Sequence, residues 1–282
     1  ELVGRALQKA VAASNLPEGV FSLLFGSGNE VGAELVRHPM IKAVGFTGSR
    51  SGGIALMDIA ARRPEPIPVF AEMSSINPVF MMPAALDDRS EEMAKGFVGS
   101  LTLGAGQFCT NPGLVIAVEG AGLNTFLEVA SKALQGETAQ TMLTPGIHTA
   151  YTRGVAALEA NPTTQVVAQG QSPVTPNQCQ AVIFKTTAQA FIEDHQLRDE
   201  VFGAAALVVV PSARSPSTKG ALSRTVRTTR SSVKSRTCVT RCRALPGWSP
   251  IWVAQRPTCT ALPARARKSR RPVASPRASI RA

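Results

Sequence analysis

The sequence predicts an α/β protein followed by a basic tail of different character, and three observations predict it. Through residues 1–210 short runs of apolar, often β-branched residues alternate with segments of helical period, at the spacing of parallel βαβ units. Glycine-bearing turns stand between several of these runs and the helices that follow them. Third, charge is divided unevenly. Residues 211–282 contain seventeen Lys or Arg and no Asp or Glu, so residues 1–210 hold thirteen bases against nineteen acids. The net charge of +11 therefore belongs to the tail, and the first 210 residues read as a mildly acidic, Ala/Val/Leu-rich globular sequence with ample apolar content for a core.

The elements follow in order. Val3, Ala6, Leu7, Ala10 and Val11 recur at helical spacing and predict a helix over 2–13. Leu16-Pro17-Glu18-Gly19 reads as a turn, and Val20–Phe25 as a buried strand. Gly26-Ser27-Gly28-Asn29-Glu30-Val31-Gly32 is a glycine-rich turn leading into a helix that Pro39 ends near His38. Ile41–Phe46 predicts a strand, Thr47-Gly48-Ser49 a turn, Ser51–Arg62 a helix and Ile67–Phe70 a short strand. A helix is expected from Ser90, with Ser90 as N-cap and Glu91 and Glu92 in its first turn, ending at Gly104 and Gly106. Leu114–Val118 predicts a strand, Asn124–Leu134 and His148–Glu159 helices, and Ala181–Phe184 and Ala205–Val210 buried strands. Beyond Val210 no apolar period is sustained, and no internal repeat is present.

Composition also excludes classes. No window approaches the roughly 18 apolar residues of a membrane span, and Glu1-Leu2-Val3-Gly4-Arg5 lacks a signal-peptide pattern. Five cysteines at irregular spacing argue against a disulfide framework and for a reducing compartment, which leads to a cytoplasmic expectation. No metal site is expected. Cys238-x-x-x-Cys242 with Cys259 matches no zinc spacing, and the tail has no His.

Four motifs carry candidate chemistry. Gly26-x-Gly28-x-x-x-Gly32, between a strand and a helix, suits a dinucleotide pyrophosphate, although it is one residue off the usual G-x-G-x-x-G and also describes an ordinary tight turn. Ser49 in Phe46-Thr47-Gly48-Ser49 offers a hydroxyl and an N–H to phosphate, or caps a helix. Cys109, in Gly106-Gln107-Phe108-Cys109-Thr110-Asn111-Pro112-Gly113, follows Glu72 by thirty-seven residues. A thiol on a glycine-flanked turn and an acid framed by small residues have the makings of a nucleophile and its base. A lone Cys in α/β sequence is otherwise a small buried hydrophobe. Glu200-Val201-Phe202-Gly203 precedes the last strand and carries no meaning alone.

Taken together and in this order, Phe46-Thr47-Gly48-Ser49, Glu72-Met73-Ser74-Ser75-Ile76-Asn77-Pro78, Gly106-Gln107-Phe108-Cys109 and Glu200-Val201-Phe202-Gly203 resemble the NAD(P)-dependent aldehyde dehydrogenase superfamily over about residues 1–210. The string Ile67 to Pro78 is most similar to its branch acting on α-ketoglutarate semialdehyde (2,5-dioxovalerate). The resemblance implies a partial Rossmann-like cofactor domain over 1–72, a partial catalytic domain over 73–210, and oxidation of an aldehyde with NAD or NADP. It implies Cys109 as the thiolate that attacks the aldehyde and Glu72 as the base that activates the hydrolytic water. Ser49, Gly26, Gly28 and Gly32 fall at the cofactor phosphates. Glu200 falls at the nicotinamide ribose, Phe202 beside the nicotinamide, and the Cys109 N–H supplies half of an oxyanion hole.

The same resemblance predicts a shortened chain. The family's subunit begins earlier, and with that segment go its first cofactor strands, an oxyanion Asn and a cofactor-binding Lys. Residues 211–282 resemble none of the family's C-terminal elements. Their composition predicts a frameshift near Val210, an irregular basic tail and impaired turnover. Family members form homo-oligomers, an expectation that does not transfer to a shortened chain. The alternative reading is a non-catalytic remnant whose basic tail binds nucleic acid through its phosphates.

Overall fold

The structure, a computed structural model, describes residues 1–211 apart from Glu18 and Ser27. The expectations placed on the tail (irregularity, frameshift, nucleic acid, the Cys238/Cys242/Cys259 grouping) fall, from residue 212 onward, outside the described residues.

The N-terminal part begins with α1 (Leu2–Ala13) and α2 (Gly28–Arg37), followed by β1 (Val44–Thr47), α3 (Arg50–Ala61) and β2 (Val69–Glu72). β1 and β2 pair in parallel, Val44 opposite Val69 through Thr47 opposite Glu72, with α3 as their crossover. The buried Arg63 side chain ties this part together. Its guanidinium donates to the carbonyls of Val36, Ile41 and Pro39 at 2.9, 3.0 and 3.3 Å, gathering the last orphan carbonyls of α2 and the entry to β1.

One expectation here is corrected. Val20–Phe25 is not a strand and is not buried: Phe25 is 69% and Leu24 59% exposed. A strand is stable only where a neighbour takes its backbone hydrogen bonds. Among the described residues no strand lies beside this segment, and the only sheet here has two strands. Phe21 is part-buried, and Leu23, itself still 39% exposed, rests against Gly4 of α1, where a Cβ would lie 2.2 Å from its Cδ2.

The larger part is a five-stranded sheet of order β3-β4-β9-β8-β6. β3 (Pro78–Met81), β4 (Leu114–Ala117), β9 (Ala205–Val210) and β8 (Val182–Thr187) run parallel, and β6 (Thr164–Gln169) is an antiparallel edge. Helices cover both faces, so β4 and β9 are apolar at every position rather than alternating. On one face Val115, Ile183, Ala206 and Val208 pack under α4 (Pro83–Thr102) and α5 (Ala121–Gly136), where the rings of Phe97 and Phe126 meet at 5.6 Å. On the other, Ile116, Phe184, Leu207 and Val209 pack against Tyr151 of α6 (Pro145–Ala160) and Phe191 of α7 (Ala188–Glu193). A two-residue pair, β5 (Gln140–Thr141) with β7 (Gln178–Cys179), completes the strands.

Ser90 is not an N-cap. α4 starts at Pro83, a residue type suited to a first helical turn, and bends at Arg89, where φ is −145° and ψ 36°. The bend falls where a new helix start was expected, because Ser90-Glu91-Glu92 carries the signature of one.

Candidate active site

The C-terminal ends of β1 and β2 lie side by side and bring two of the motifs together. The N–H of Gly48 donates to the Glu72 carbonyl at 3.1 Å. Ser49 caps α3, its hydroxyl accepting from the Gly52 N–H at 3.2 Å, and the N–H of Arg50 donates to the Ser74 hydroxyl at 3.4 Å. The capping role is therefore realised. It leaves the α3 N-terminus exposed beside the end of β2, the position in parallel α/β sheets where ligands bind. The Glu72 carboxylate is exposed and forms no hydrogen bond or ion pair among the described residues.

From Glu72 the chain crosses to the larger sheet through Met73–Asn77, and this crossing gathers the other two motifs. The N–H of Ser75 donates to Glu200 Oε1 at 3.4 Å. Burial pushes the Glu200 carboxyl above the ordinary carboxylate range, opposed by its hydrogen bonds from the Ser74 hydroxyl and the Ser75 N–H. Asn77 donates from Nδ2 to the Cys109 carbonyl at 2.7 Å and to the Asn111 carbonyl at 3.0 Å. Cys109 sits on the exposed turn that these contacts hold. Its thiol is free, and its N–H has no partner among the described residues. The other described cysteine, Cys179, is buried, and burial pushes its thiol pKa up.

Glycines set how closely these loops meet. Gly106 has φ +67°, and a Cβ there would lie 2.3 Å from the Gly203 carbonyl carbon, so the approach to Cys109 rests directly on the backbone of the Glu200–Gly203 loop. Gly203 in turn lies under the Tyr151 ring, whose hydroxyl donates to the carbonyls of Gln180 and Ala204. A partly open cleft runs past Ser75, Asn111, Glu200 and Phe202. Phe202 presents its ring at the cleft, 37% exposed.

The Gly26–Gly32 turn does not join this cluster. Gly26 makes room for the Val31 side chain, 2.4 Å from where its Cβ would be, Gly28 opens α2, and Gly32 faces open space. No hydrogen bond among the described residues links the turn to Ser49, Glu72, Cys109 or Glu200.

Sequence reasoning did not assign Ser75, Asn77 or Asn111. A signal was present: Asn77-Pro78 and Asn111-Pro112 are both Asn-Pro turns, and each brackets a motif residue.

The description "Aldehyde dehydrogenase family" matches residues 1–214 of this chain. The chain belongs to the aldehyde dehydrogenase family. It is 52% identical over 209 residues to an alpha-ketoglutaric semialdehyde dehydrogenase 2 of Azospirillum brasilense, covering 74% of this chain and 40% of that protein. An alpha-ketoglutaric semialdehyde dehydrogenase of Acinetobacter baylyi is 41% identical over 210 residues, with the same two coverages. Among solved structures, an NAD-dependent benzaldehyde dehydrogenase from Corynebacterium glutamicum superposes with TM-score 0.59 at 20% identity, over 77% of this chain and 46% of that one. That likeness shows the fold. The chain spans about 40% of the length of the curated relatives it matches. Among the described residues no helix is long and apolar enough to cross a membrane.

Proposed function

We propose that this chain carries the thiol half of an aldehyde oxidation with NAD or NADP, on a semialdehyde of the α-ketoglutaric type. The observation that carries the reading is Cys109: an exposed free thiol whose N–H has no partner among the described residues, on a turn braced by Asn77 and backed by the Glu200 loop. The semialdehyde substrate rests on the two relatives at 52% and 41% identity.

The residues fit a dinucleotide. The open N-terminus of α3 at Ser49 suits a phosphate, the Glu200 carboxylate accepts ribose hydroxyls, and the Phe202 ring gives an edge for a planar base. When bound, the cofactor accepts hydride. The chain's own residues do the rest. Cys109 Sγ adds to the aldehyde carbon, and the proton shed by the thiol ends on the carbonyl oxygen or in solvent. The Cys109 N–H donates to that oxygen as it gains charge. Glu72, exposed at the end of β2, takes a proton from the water that releases the acid.

We assign residues 1–72 to the cofactor side, 73–210 to the catalytic side, and the cytoplasm as compartment. Gly26, Gly28 and Gly32 belong to the cofactor side only through the turn they form.

The test is a single turnover. The chain is mixed with α-ketoglutaric semialdehyde and NAD or NADP, quenched in acid, and searched by peptide mass spectrometry for an acyl group on Cys109. A cofactor-dependent acyl adduct, absent from Cys109→Ser, is expected. An unmodified Cys109 under these conditions refutes the reading.

A further inference from the structure

We infer that Asn77 is the positioning residue of the Cys109 turn: its carboxamide holds the nucleophile's backbone where thiol and N–H act on one carbonyl. The inference rests on the reading of Cys109 as the nucleophile. Two carbonyl oxygens, those of Cys109 and Asn111, converge on Asn77 Nδ2 at 2.7 and 3.0 Å. Only the NH2 end of the amide satisfies both, since an oxygen there would face two acceptors. The other end is fixed as well. Ser75 donates from Oγ to Asn77 Oδ1 at 2.9 Å, and the Ser75 N–H donates to Glu200. The amide is therefore held at both ends, and it joins the Glu200 carboxylate to the Cys109 turn through one intervening residue, Ser75.

The backbone setting is specific. Asn77 has φ +40°, in the left-handed region that Asn tolerates better than most residues, and the following Pro78 disfavours the right-handed helical alternative. Pro78 starts β3 and pairs with Leu114, the first residue of β4, so both ends of the clamp are anchored in one parallel ladder. Asn111 extends the brace, donating from Nδ2 to the Leu101 carbonyl at 2.9 Å. Without Nδ2 the Cys109 carbonyl would lose its donor, and the turn would keep its internal bonds, Asn111 N–H to the Phe108 carbonyl and Gly113 N–H to the Asn111 carbonyl, with the Asn111 brace to Leu101 and the bond from the Leu207 N–H to the Gly113 carbonyl.

The experiment compares wild type, Asn77→Gly and Asn77→Asp in the full 282-residue chain. Glycine keeps the positive φ and removes both donors. Aspartate keeps the shape but, ionised, presents oxygens to the two carbonyls, and protonation returns one donor. Two quantities are read: amide exchange of the segment 105–114, and protection of Cys109 from iodoacetamide by propanal, a plain aldehyde probe. In protection the thiol adds across C=O, an S–C bond replacing the π bond and a proton ending on oxygen.

Exchange of 105–114 in Asn77→Gly should be faster by about tenfold or more at every pH, while the β8–β9 ladder stays at wild-type rates. The propanal concentration needed for half protection should rise by a similar factor. In Asn77→Asp both ratios to wild type should fall back toward one as pH drops through the carboxylate range. A side chain that acts only by filling space or by setting the backbone φ would give no such acid recovery. Equal propanal protection in all three chains overturns the clamp and leaves Cys109 as nucleophile intact. An Asn77→Asp ratio that ignores pH also overturns it, even if Asn77→Gly fails to fold. No protection in wild type overturns both readings.

Discussion

The β1–β2 sheet and the five-stranded sheet are built from similar sequence and come out differently. The five-stranded sheet has helices on both faces, and Val115, Phe184, Val208 and Val209 are completely buried. The two-stranded sheet of β1 and β2 has no fully buried strand residue, and Phe70 within it is 70% exposed. Apolar composition sets the demand for burial, and the presence of neighbours decides whether it is met. Val20–Phe25 and Ala205–Val210 look alike as sequence. One has partners on both sides and becomes β9; the other has none among the described residues and stays irregular and mostly exposed.

The widest expected gap between the regions comes from matched truncations. Phe184→Ala removes a fully buried ring and should cost about 3–5 kcal/mol. Phe25→Ala should change stability by no more than about 0.5 kcal/mol. Denaturant midpoints measure both, and a cost for Phe25 near that of Phe184 would break the comparison. Next in size is Gly106→Ala. Its Cβ would lie 2.3 Å from backbone that cannot step aside, at φ +67°. Strain and displacement together should cost about 2–4 kcal/mol, with the Glu200–Gly203 loop shifted. An unchanged melting temperature would show that the two loops are less closely seated than described.

Legibility follows the same division. β9 was readable to the residue because burial on both faces writes it as an unbroken apolar run, whereas β8 was expected only as Ala181–Phe184 because Lys185, Thr186 and Thr187 interrupt its apolar run. β6 was not, because as an edge strand its Thr164, Gln165 and Gln169 face partly outward and dilute the signal. β3 was missed because Pro78 masks a four-residue strand, although proline is admissible as a first strand residue. At the site, Cys109, Glu72, Ser49, Glu200 and Phe202 could be named only as a set in order. What ties Cys109 and Glu200 to one crossing, the Asn77 and Ser75 bonds, depends on residues 32 to 125 positions apart and has no local signature.

A smaller effect separates the regions through Arg63. Arg63→Ala leaves the carbonyls of Val36, Pro39 and Ile41 without their donor and should cost about 1–3 kcal/mol. Because the loss falls on α2 and β1, amide exchange should quicken there and not in β8 or β9. Uniform quickening would mean that the two parts unfold as one unit.

The smallest expected effect is electrostatic and joins the regions at Glu200. Burial raises its folded-state pKa above the unfolded value, the opposite of an ion-paired acid. Between those two values the folded chain binds more protons than the unfolded one, so this group's contribution to stability falls as pH rises through that window. Above it the ionised carboxylate remains a fixed penalty, and below it the penalty is absent. Glu200→Gln keeps an acceptor for the Ser75 N–H and removes the titration. The difference in stability between Glu200→Gln and wild type should therefore grow in favour of the variant from acid pH to neutral, then level off. A difference that runs the other way would mean that the bonds from Ser74 and Ser75 outweigh burial, and that Glu200 is held as a stable anion by the crossing from β2 to β3.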